Sequence, residues 1–93
     1  MKKFKDKLTE QIKSGIKDKN IPMDLFVRVQ SKILLILSSD NLTDLKVPPS
    51  NHLEKLSGDR EGQHSIRVNE KYRICFNWIN GEAFNIEFVN YHK

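Results

Sequence analysis

The stretch that decides the fold runs through three segments: QHSIRV at residues 63–68, YRICFNW at 72–78 and AFNIEF at 83–88. Apolar and polar side chains alternate in each segment, which is typical of half-buried strands because successive side chains point to opposite faces of a sheet. Short polar breaks join the segments, so together they predict an antiparallel meander. One face of this sheet collects the even-numbered positions: His64, Ile66, Val68, Tyr72, Ile74, Phe76, Trp78, Phe84, Ile86 and Phe88.

The register of the predicted sheet follows from this parity, because cross-strand partners share a face. A two-residue loop at Asn80-Gly81 would place Phe84 opposite Asn77, which mixes the two faces. The pattern therefore favours a three-residue loop at 79–81, a type I turn followed by Gly81 at positive φ. The predicted pairs are Phe76 with Phe84, Ile74 with Ile86, Tyr72 with Phe88 and, across a loop at 69–71, Ile66 with Ile74.

The odd-numbered positions form the opposite face, which is predicted to be polar and open. Arg67 lies opposite Arg73 there, Arg73 lies opposite Glu87, and Cys75 is expected to be half-exposed. Like charges directly across a ladder are unfavourable. Either Glu87 relieves the arginine pair as an ordinary surface salt bridge, or the two arginines are gathered to hold a phosphate with their forked donors. The residues alone leave both interpretations open.

Length and composition bound the class of protein. A chain of 93 residues with 30% charged and 38% hydrophobic side chains predicts one globular domain, residues 1–93. A single cysteine excludes an internal disulfide and fits a reducing cytoplasm. The longest apolar run, residues 33–37, is too short to span a bilayer, and no signal peptide is evident. The net charge of +4 comes from residues 1–20, so this segment is either a site for nucleic acid or an acidic partner, or a solvated helix face.

The first half of the chain predicts two helices. Apolar residues recur every four positions from Phe4 to Ile16, which indicates a helix at about residues 4–19, and a broader apolar face indicates a second helix at 22–38. A helical hairpin of this kind can cover the even face of the sheet. The predicted fold is therefore α+β, with two N-terminal helices packed on one face of a small, mainly antiparallel sheet.

The candidate chemistry centres on the end of the chain. No zinc-ligand spacing, phosphate-binding glycine loop or serine nucleophile elbow is present in the sequence, so no metal or cofactor is predicted. Tyr91 and His92 follow the last predicted strand, and Arg67 and Arg73 lie on the polar face. A terminal segment of this kind is often only the end of the chain, without a functional role. The strong pattern of the preceding strand favours a tail held near the sheet.

Four segments closely resemble the HigB branch of the RelE/ParE toxin superfamily: LEKLSGDREG at 53–62, SIRVN at 65–69, YRICF at 72–76 and YH at 91–92. The resemblance covers roughly residues 48–92, and the helical half is similar only in length and pattern. It implies a small cytoplasmic toxin of a bacterial toxin–antitoxin pair, a ribosome-dependent endoribonuclease that cuts mRNA in the A site. It also implies a HigA-like helix-turn-helix antitoxin, through which alone the toxin reaches operator DNA.

The same resemblance suggests roles for individual residues. Arg67 and Arg73 match arginines near the scissile phosphate, and Tyr91 and His92 match the pair assigned to substrate positioning and acid/base work. The further RNA-binding candidates are His52, Glu54, Lys55, Arg60 and Asn90. Two positions depart from the family pattern: Asn90 replaces the usual acidic residue before Tyr-His, and Glu54 stands where some members carry a histidine. A weaker or differently tuned nuclease is the expected consequence.

The implied chemistry agrees with the residues present. RNA cleavage needs a base to deprotonate the 2′-hydroxyl, an acid to protonate the leaving 5′-oxygen, and cations to stabilise the phosphorane. His92, with an unperturbed pKa of about 6.5, can serve as base or acid, and Tyr91 can stack on a base. Two rival functions are a non-nuclease toxin that inhibits a protein such as DNA gyrase and a catalytically silent ribosome-binding module. The terminal Tyr-His pair favours the nuclease.

Overall fold

The computed structural model describes residues 1–90 and confirms the predicted α+β architecture. Two helices precede a four-stranded antiparallel sheet with strand order β1-β2-β3-β4. The elements are α1 Lys7–Lys13, α2 Met23–Ser38, β1 Glu54–Lys55, β2 Gln63–Arg67, β3 Tyr72–Ile79 and β4 Glu82–Asn90, with 3-10 turns at Leu42–Lys46, Pro49–Asn51 and Gly58–Arg60. Within the described part of the chain, no helix has the length and apolar character needed to cross a bilayer.

Helix α1 is shorter than the predicted 4–19. The carboxylate of Asp6 accepts hydrogen bonds from the backbone N–H of Thr9 at 2.8 Å and from its hydroxyl at 2.7 Å, which fixes the start of the helix. Phe4 lies outside the helix and forms a parallel bridge with Ile86, where the Lys5 N–H donates to the Ile86 carbonyl at 2.9 Å. The first residues therefore extend the sheet along β4, an arrangement that helical periodicity cannot reveal.

Helix α2 begins one residue after the predicted start and ends where predicted. Its buried residues Phe26, Val29, Ile33 and Ile36 are spaced by three or four positions, so they form one stripe. This stripe belongs to the same core cluster as the even-numbered strand residues, of which Ile66, Ile74, Phe76 and Ile86 are fully buried. The predicted packing of both helices on the even face is confirmed.

The register of the first strand hairpin is confirmed, since Ile66 pairs with Ile74 and Arg67 pairs with Arg73. The side chain of Asn69 closes the turn by accepting hydrogen bonds from the N–H groups of Lys71 at 2.8 Å and Tyr72 at 2.9 Å. An asparagine in this position mimics a backbone turn, which agrees with the predicted loop.

The predicted register of the second hairpin is wrong. Its turn has two residues, Asn80 and Gly81, both at positive φ as a type I′ turn requires, and Asn77 pairs with Phe84. A β-bulge between Cys75 and Asn77 then shifts the pairing by one residue. The observed pairs beyond the bulge are Cys75 with Glu87, Ile74 with Phe88, Arg73 with Val89 and Tyr72 with Asn90.

The two-residue turn pairs odd-numbered with even-numbered positions, whereas the predicted core face contains only even-numbered positions. The bulge explains how both can hold in one hairpin. Asn85 takes φ +52° within the bulged strand, and beyond it Ile86 returns to the core. Before the bulge, Ala83 is the buried residue, and Phe84 lies on the polar side beside Asn77 with the Lys3 ammonium 4.4 Å from its ring centroid. Phe84 was therefore wrongly predicted to face the helices.

Candidate functional site

A cleft of about 520 Å³ lies on the polar face of the sheet, and we call it the strand cleft. It forms because β1 pairs with the edge of β2, Glu54 opposite Ser65, and brings the segment before it over the polar face. The lining residues are His52, Leu53, Glu54, Arg67, Asn69, Glu70 and Arg73. Four predicted site residues, two of them the paired arginines, therefore meet in one cleft.

Arg73 is the most enclosed of these side chains. Its Nε donates to the Ser65 hydroxyl at 2.8 Å, and its Nη2 lies 3.0 Å from a carboxylate oxygen of Glu54 and donates to the backbone carbonyl of His52. Only 9% of Arg73 is exposed. The polar face was predicted to be open at this point, but the segment around His52 covers it.

The predicted position of Glu87 opposite Arg73 is also wrong. The bulge places Cys75, not Arg73, opposite Glu87, and a carboxylate oxygen of Glu87 lies 3.0 Å from Nη1 of Arg60. Arg60 also donates to the side-chain oxygen of Gln63 at 3.1 Å. Cys75, expected to be half-exposed, is fully buried. Arg60 thus lies on the polar face, away from the strand cleft, with its charge compensated.

Arg67 has a different environment, although it lies directly opposite Arg73. Its side chain is half-buried, and its Nε donates to the Asn69 carbonyl at 3.2 Å. The ion pairs within residues 1–90 involve Lys3, Arg60 and Arg73, and none of them includes Arg67. Among residues 1–90, the terminal guanidinium nitrogens of Arg67 are therefore donors that an anion can engage without displacing a carboxylate from an ion pair.

The remaining predicted residues lie around the strand cleft or beyond the described chain. Lys55 is exposed on β1 opposite His64. Asn90 is exposed at the end of β4 opposite Tyr72, the neighbour of Arg73. Tyr91 and His92 fall outside the described residues. Within residues 1–90, no group of three or more His, Cys, Asp or Glu side chains is arranged to hold a metal ion.

His64 is a boundary residue of the core, as its even position predicted. Its ring stacks on Phe76 at a centroid distance of 6.2 Å, and its buried Nδ1 has no hydrogen-bond partner among the described residues. Burial, together with the positive charge of Lys55, lowers the pKa of His64. This environment favours the neutral form of His64, which packs within β2 and does not line the strand cleft.

Two functional features escaped prediction from the sequence. Ser65 holds Arg73 by its hydroxyl, and its odd position on the same strand as Arg67 is the signal that could have indicated this contact. Arg28 and Lys32 of α2 line a second cleft of about 510 Å³ that shares Arg67 with the first. Their spacing of four residues places both on one face of the helix, a signal that was present in the sequence.

Comparisons with known proteins show which family the chain resembles. A model of the RelE-like toxins of type II toxin–antitoxin systems, HigB, matches residues 2–92. The protein named Toxin HigB-1 from Vibrio cholerae serotype O1 is 36% identical over 91 residues, which cover 97% of this chain and 95% of that protein. An uncharacterized protein from Haemophilus influenzae is 39% identical over 66 residues, 71% of this chain and 65% of that protein.

A shorter match joins the chain to a relative whose name states an activity. The protein named Endoribonuclease HigB from Proteus vulgaris is 48% identical over 40 residues, which cover 43% of this chain and 44% of that protein. The family model and the near-complete alignment with the Vibrio toxin together decide the assignment. The chain belongs to the HigB-like family of RelE-like toxins of type II toxin–antitoxin systems.

Proposed function

We propose that this toxin is a ribosome-dependent endoribonuclease that cleaves mRNA without a metal ion. The observation that carries the proposal is the pairing of Arg67 with Arg73 in the strand cleft, in a chain related to a protein named Endoribonuclease HigB. Two guanidinium groups on adjacent strands suit a phosphate, whose oxygens accept forked hydrogen bonds. Arg67 supplies the donors, and Arg73 positions the wall of the cleft through its contacts with Glu54 and His52.

In the proposed reaction, the 2′-hydroxyl of one nucleotide attacks its own 3′-phosphate, and the 5′-oxygen of the next nucleotide leaves. Arg67 stabilises the negative charge that develops on the phosphorane oxygens. His92 either takes the proton of the 2′-hydroxyl or gives a proton to the leaving 5′-oxygen, and Glu54 or Lys55 makes the other transfer. Tyr91 stacks on a base; Tyr91 and His92 directly follow Asn90, which ends β4 one position along the ladder from the Arg73–Val89 pair. Their assignment rests on the family resemblance and on this place in the chain.

The proposed partners follow from the family of the chain and from its charge. Membership of a type II system implies an antitoxin, which we propose is a HigA-like helix-turn-helix protein that alone contacts operator DNA. The ribosome and its mRNA are the proposed target. The surplus of lysine in residues 1–20, seven against three acidic residues, favours association with RNA-rich surfaces. Ribosome association is therefore expected to weaken steeply as salt is raised.

The test combines growth arrest after induction with mapping of mRNA 5′ ends on purified ribosomes. We expect His92→Gln to lower the cleavage rate by about 10²- to 10⁴-fold, the usual loss of a general acid or base, while ribosome binding stays near the wild-type level. Metal independence is checked at constant magnesium, which the ribosome needs, with an mRNA that carries a phosphorothioate at the scissile phosphate. We expect that replacing magnesium with the softer manganese does not restore any rate lost through the sulfur. If His92→Gln cuts at the wild-type rate, the proton-transfer group has to be sought at Glu54, Lys55 or His52. Arrest of replication without any mRNA cleavage would favour a toxin with a protein target such as DNA gyrase.

A further inference from the structure

A second cleft adjoins the strand cleft, and we call it the α2 cleft. It has a volume of about 510 Å³, and the two clefts share Arg67, Asn69 and Glu70 as a common wall. The other side of the α2 cleft is formed by Arg28 and Lys32 of helix α2, with Ser50 and Val68 between them and the common wall. A strand of nucleic acid that reaches Arg67 therefore meets a second cationic surface next to it.

Three cations line the α2 cleft, and their charge is not compensated within the described chain. The ion pairs among residues 1–90 use Lys3, Arg60 and Arg73, so Arg28, Lys32 and Arg67 have no carboxylate within 4 Å. Glu70 is the acidic residue of the lining, and it is exposed. Among the described lining residues the cations outnumber this carboxylate three to one, so they repel one another, and a bound anion relieves that repulsion.

The two helix cations are held in place by neutral groups. Nη1 of Arg28 donates to the Val68 carbonyl at 3.4 Å. Nζ of Lys32 donates to the side-chain oxygen of Asn51, a fully buried residue whose amide nitrogen donates to the Leu45 and Val47 carbonyls at 3.2 Å each. Burial and the charge of Arg28 lower the pKa of Lys32. The site is thus built, with an anchored ammonium whose remaining donors are available to a ligand.

We propose that Arg28, Lys32 and Arg67 form a subsite for a backbone phosphate of the RNA strand next to the phosphate bound in the strand cleft. This inference rests on the proposed function, since it takes the substrate to be RNA. A single strand that follows both clefts is gripped at successive phosphates, as in other positively charged grooves. Arg67 is the residue that joins the two sites.

The lining favours a phosphate over an acidic protein segment. Peptide docking relies on apolar anchors that fill pockets, and Val68, which is 5% exposed, is the one apolar residue among the described residues of this lining. The other lining groups are cations, a hydroxyl, an amide and the exposed Glu70. Such a surface can bind a chain of phosphates without discrimination between bases.

The experiment measures binding of a fluorescent 2′-O-methyl RNA oligonucleotide, which lacks the attacking hydroxyl, by anisotropy over a series of salt concentrations. We expect the double variant Arg28→Gln with Lys32→Gln to bind more weakly and to reduce the steepness of the salt dependence by about 0.7, the value for one lost phosphate contact of a single strand. Glutamine keeps a donor for Asn51, so the fold is expected to be retained.

Two matched variants control this result. Lys46→Gln with Lys71→Gln removes the same charge from exposed positions outside both clefts and outside the lysine-rich residues 1–20, and we expect the wild-type salt dependence. Arg28→Lys with Lys32→Arg keeps the charge, and we expect it to retain most of the affinity. Equal losses in the two neutralising doubles, or no salt-dependent binding by the wild type, would overturn the subsite. The subsite would also be overturned if the Arg28/Lys32 double variant lost affinity only for a poly-glutamate peptide. That result would assign the α2 cleft to an acidic protein segment.

Cleavage on ribosomes is measured separately, so failure of the subsite and failure of the proposed function can be told apart. If the wild type cuts mRNA and the Arg28/Lys32 double variant binds RNA normally, the function stands and the subsite falls. If the double variant loses RNA binding and the wild type cuts nothing, the subsite stands and the nuclease falls.

Discussion

Two neighbouring regions of the molecule each contain one of the paired arginines, and the two side chains are in opposite states. In the Arg73 region, defined by Arg73, Ser65, His52 and Glu54, the guanidinium is buried, hydrogen-bonded and ion-paired. In the Arg67 region, defined by Arg67, Asn69, Arg28 and Lys32, three cations share a wall and have no carboxylate within 4 Å among the described residues. The two arginines lie directly opposite each other on β2 and β3. Their environments differ because the segment before β1 covers Arg73. Arg73 is held within the fold, and Arg67 is the arginine that we propose contacts the phosphate.

Arg73→Ala should have the largest effect, because it breaks both the fold and the proposed site. The change leaves the Ser65 hydroxyl and the His52 carbonyl without their partner, and we expect the free energy of unfolding to fall by about 2 kcal/mol. Urea unfolding followed by the fluorescence of Trp78 measures it. Cleavage should fall as well, and Arg73→Lys should restore only part of both losses because a point charge cannot replace a planar fork. An unfolding curve identical to the wild type would show that Arg73 does not hold the covering segment.

Arg67→Ala tests the other half of the comparison. We expect the free energy of unfolding to change by no more than about 0.5 kcal/mol, as for a surface substitution, since Arg67 makes a hydrogen bond to Asn69 and no ion pair within residues 1–90. The cleavage rate on ribosomes should fall by about 10²-fold, the usual loss of one donor to a developing oxyanion. A stability loss as large as that of Arg73→Ala, with cleavage intact, would reverse the roles of the two arginines.

The two strand hairpins show how far the sequence determines the fold. The odd–even alternation of side chains was enough to predict the register of β2 with β3. The side chain of Asn69 closes this turn, and each observed pair joins two even-numbered or two odd-numbered residues. Parity failed between β3 and β4, where Asn80 and Gly81 form a two-residue turn and Asn85 absorbs the extra residue in a bulge. Asparagine can adopt a positive φ but does not have to. The alternation of apolar and polar residues therefore does not reveal the bulge.

The candidate site was predictable in its residue types and not in their exposure. The resemblance and the alternation together selected Arg67 and Arg73, and both line the strand cleft. The cover over Arg73 comes from the loop before β1, whose path depends on contacts far apart in sequence, such as the 21-residue separation between Arg73 and His52. The position of Arg28 in the α2 cleft depends on how α2 lies against the sheet. Helical periodicity predicts only which residues of α2 form the buried stripe.

Glu54→Gln should have a smaller effect that sharpens the comparison. It removes the carboxylate that compensates Arg73 and so makes the Arg73 region resemble the Arg67 region. Because the Glu54 side chain is 54% exposed, its ion pair contributes only about 0.5 kcal/mol to stability. Binding of the 2′-O-methyl RNA should strengthen by about two- to five-fold, the equivalent of a screened charge removed from the cleft. Binding that stays at the wild-type level would mean that no phosphate approaches Arg73.

The smallest expected effect is a dependence of stability on pH that acts on the Arg73 region alone. His64 pairs with Lys55 across the β1–β2 ladder, and this ladder carries the segment that covers Arg73. The folded state lowers the pKa of His64, so the unfolded chain takes up the proton more readily. The stabilisation from a neutral His64 is complete above the ordinary histidine pKa of about 6.5 and is lost as the pH falls below that value.

Urea midpoints at pH 7.5 and 5.5 test this for the wild type and for His64→Phe, which cannot titrate and preserves the stacking on Phe76. We expect the wild type to lose more stability than the variant over this interval, because protonation brings a second positive charge beside Lys55 and places it in a partly buried position. Carboxylates titrate mainly below this interval, and their contribution is common to both proteins. Parallel midpoints would show that His64 is not the group that titrates. A loss of protection from hydrogen exchange at Leu56, whose N–H donates to the Gln63 carbonyl at 2.9 Å, would place the loosening at β1 and therefore over Arg73 rather than Arg67.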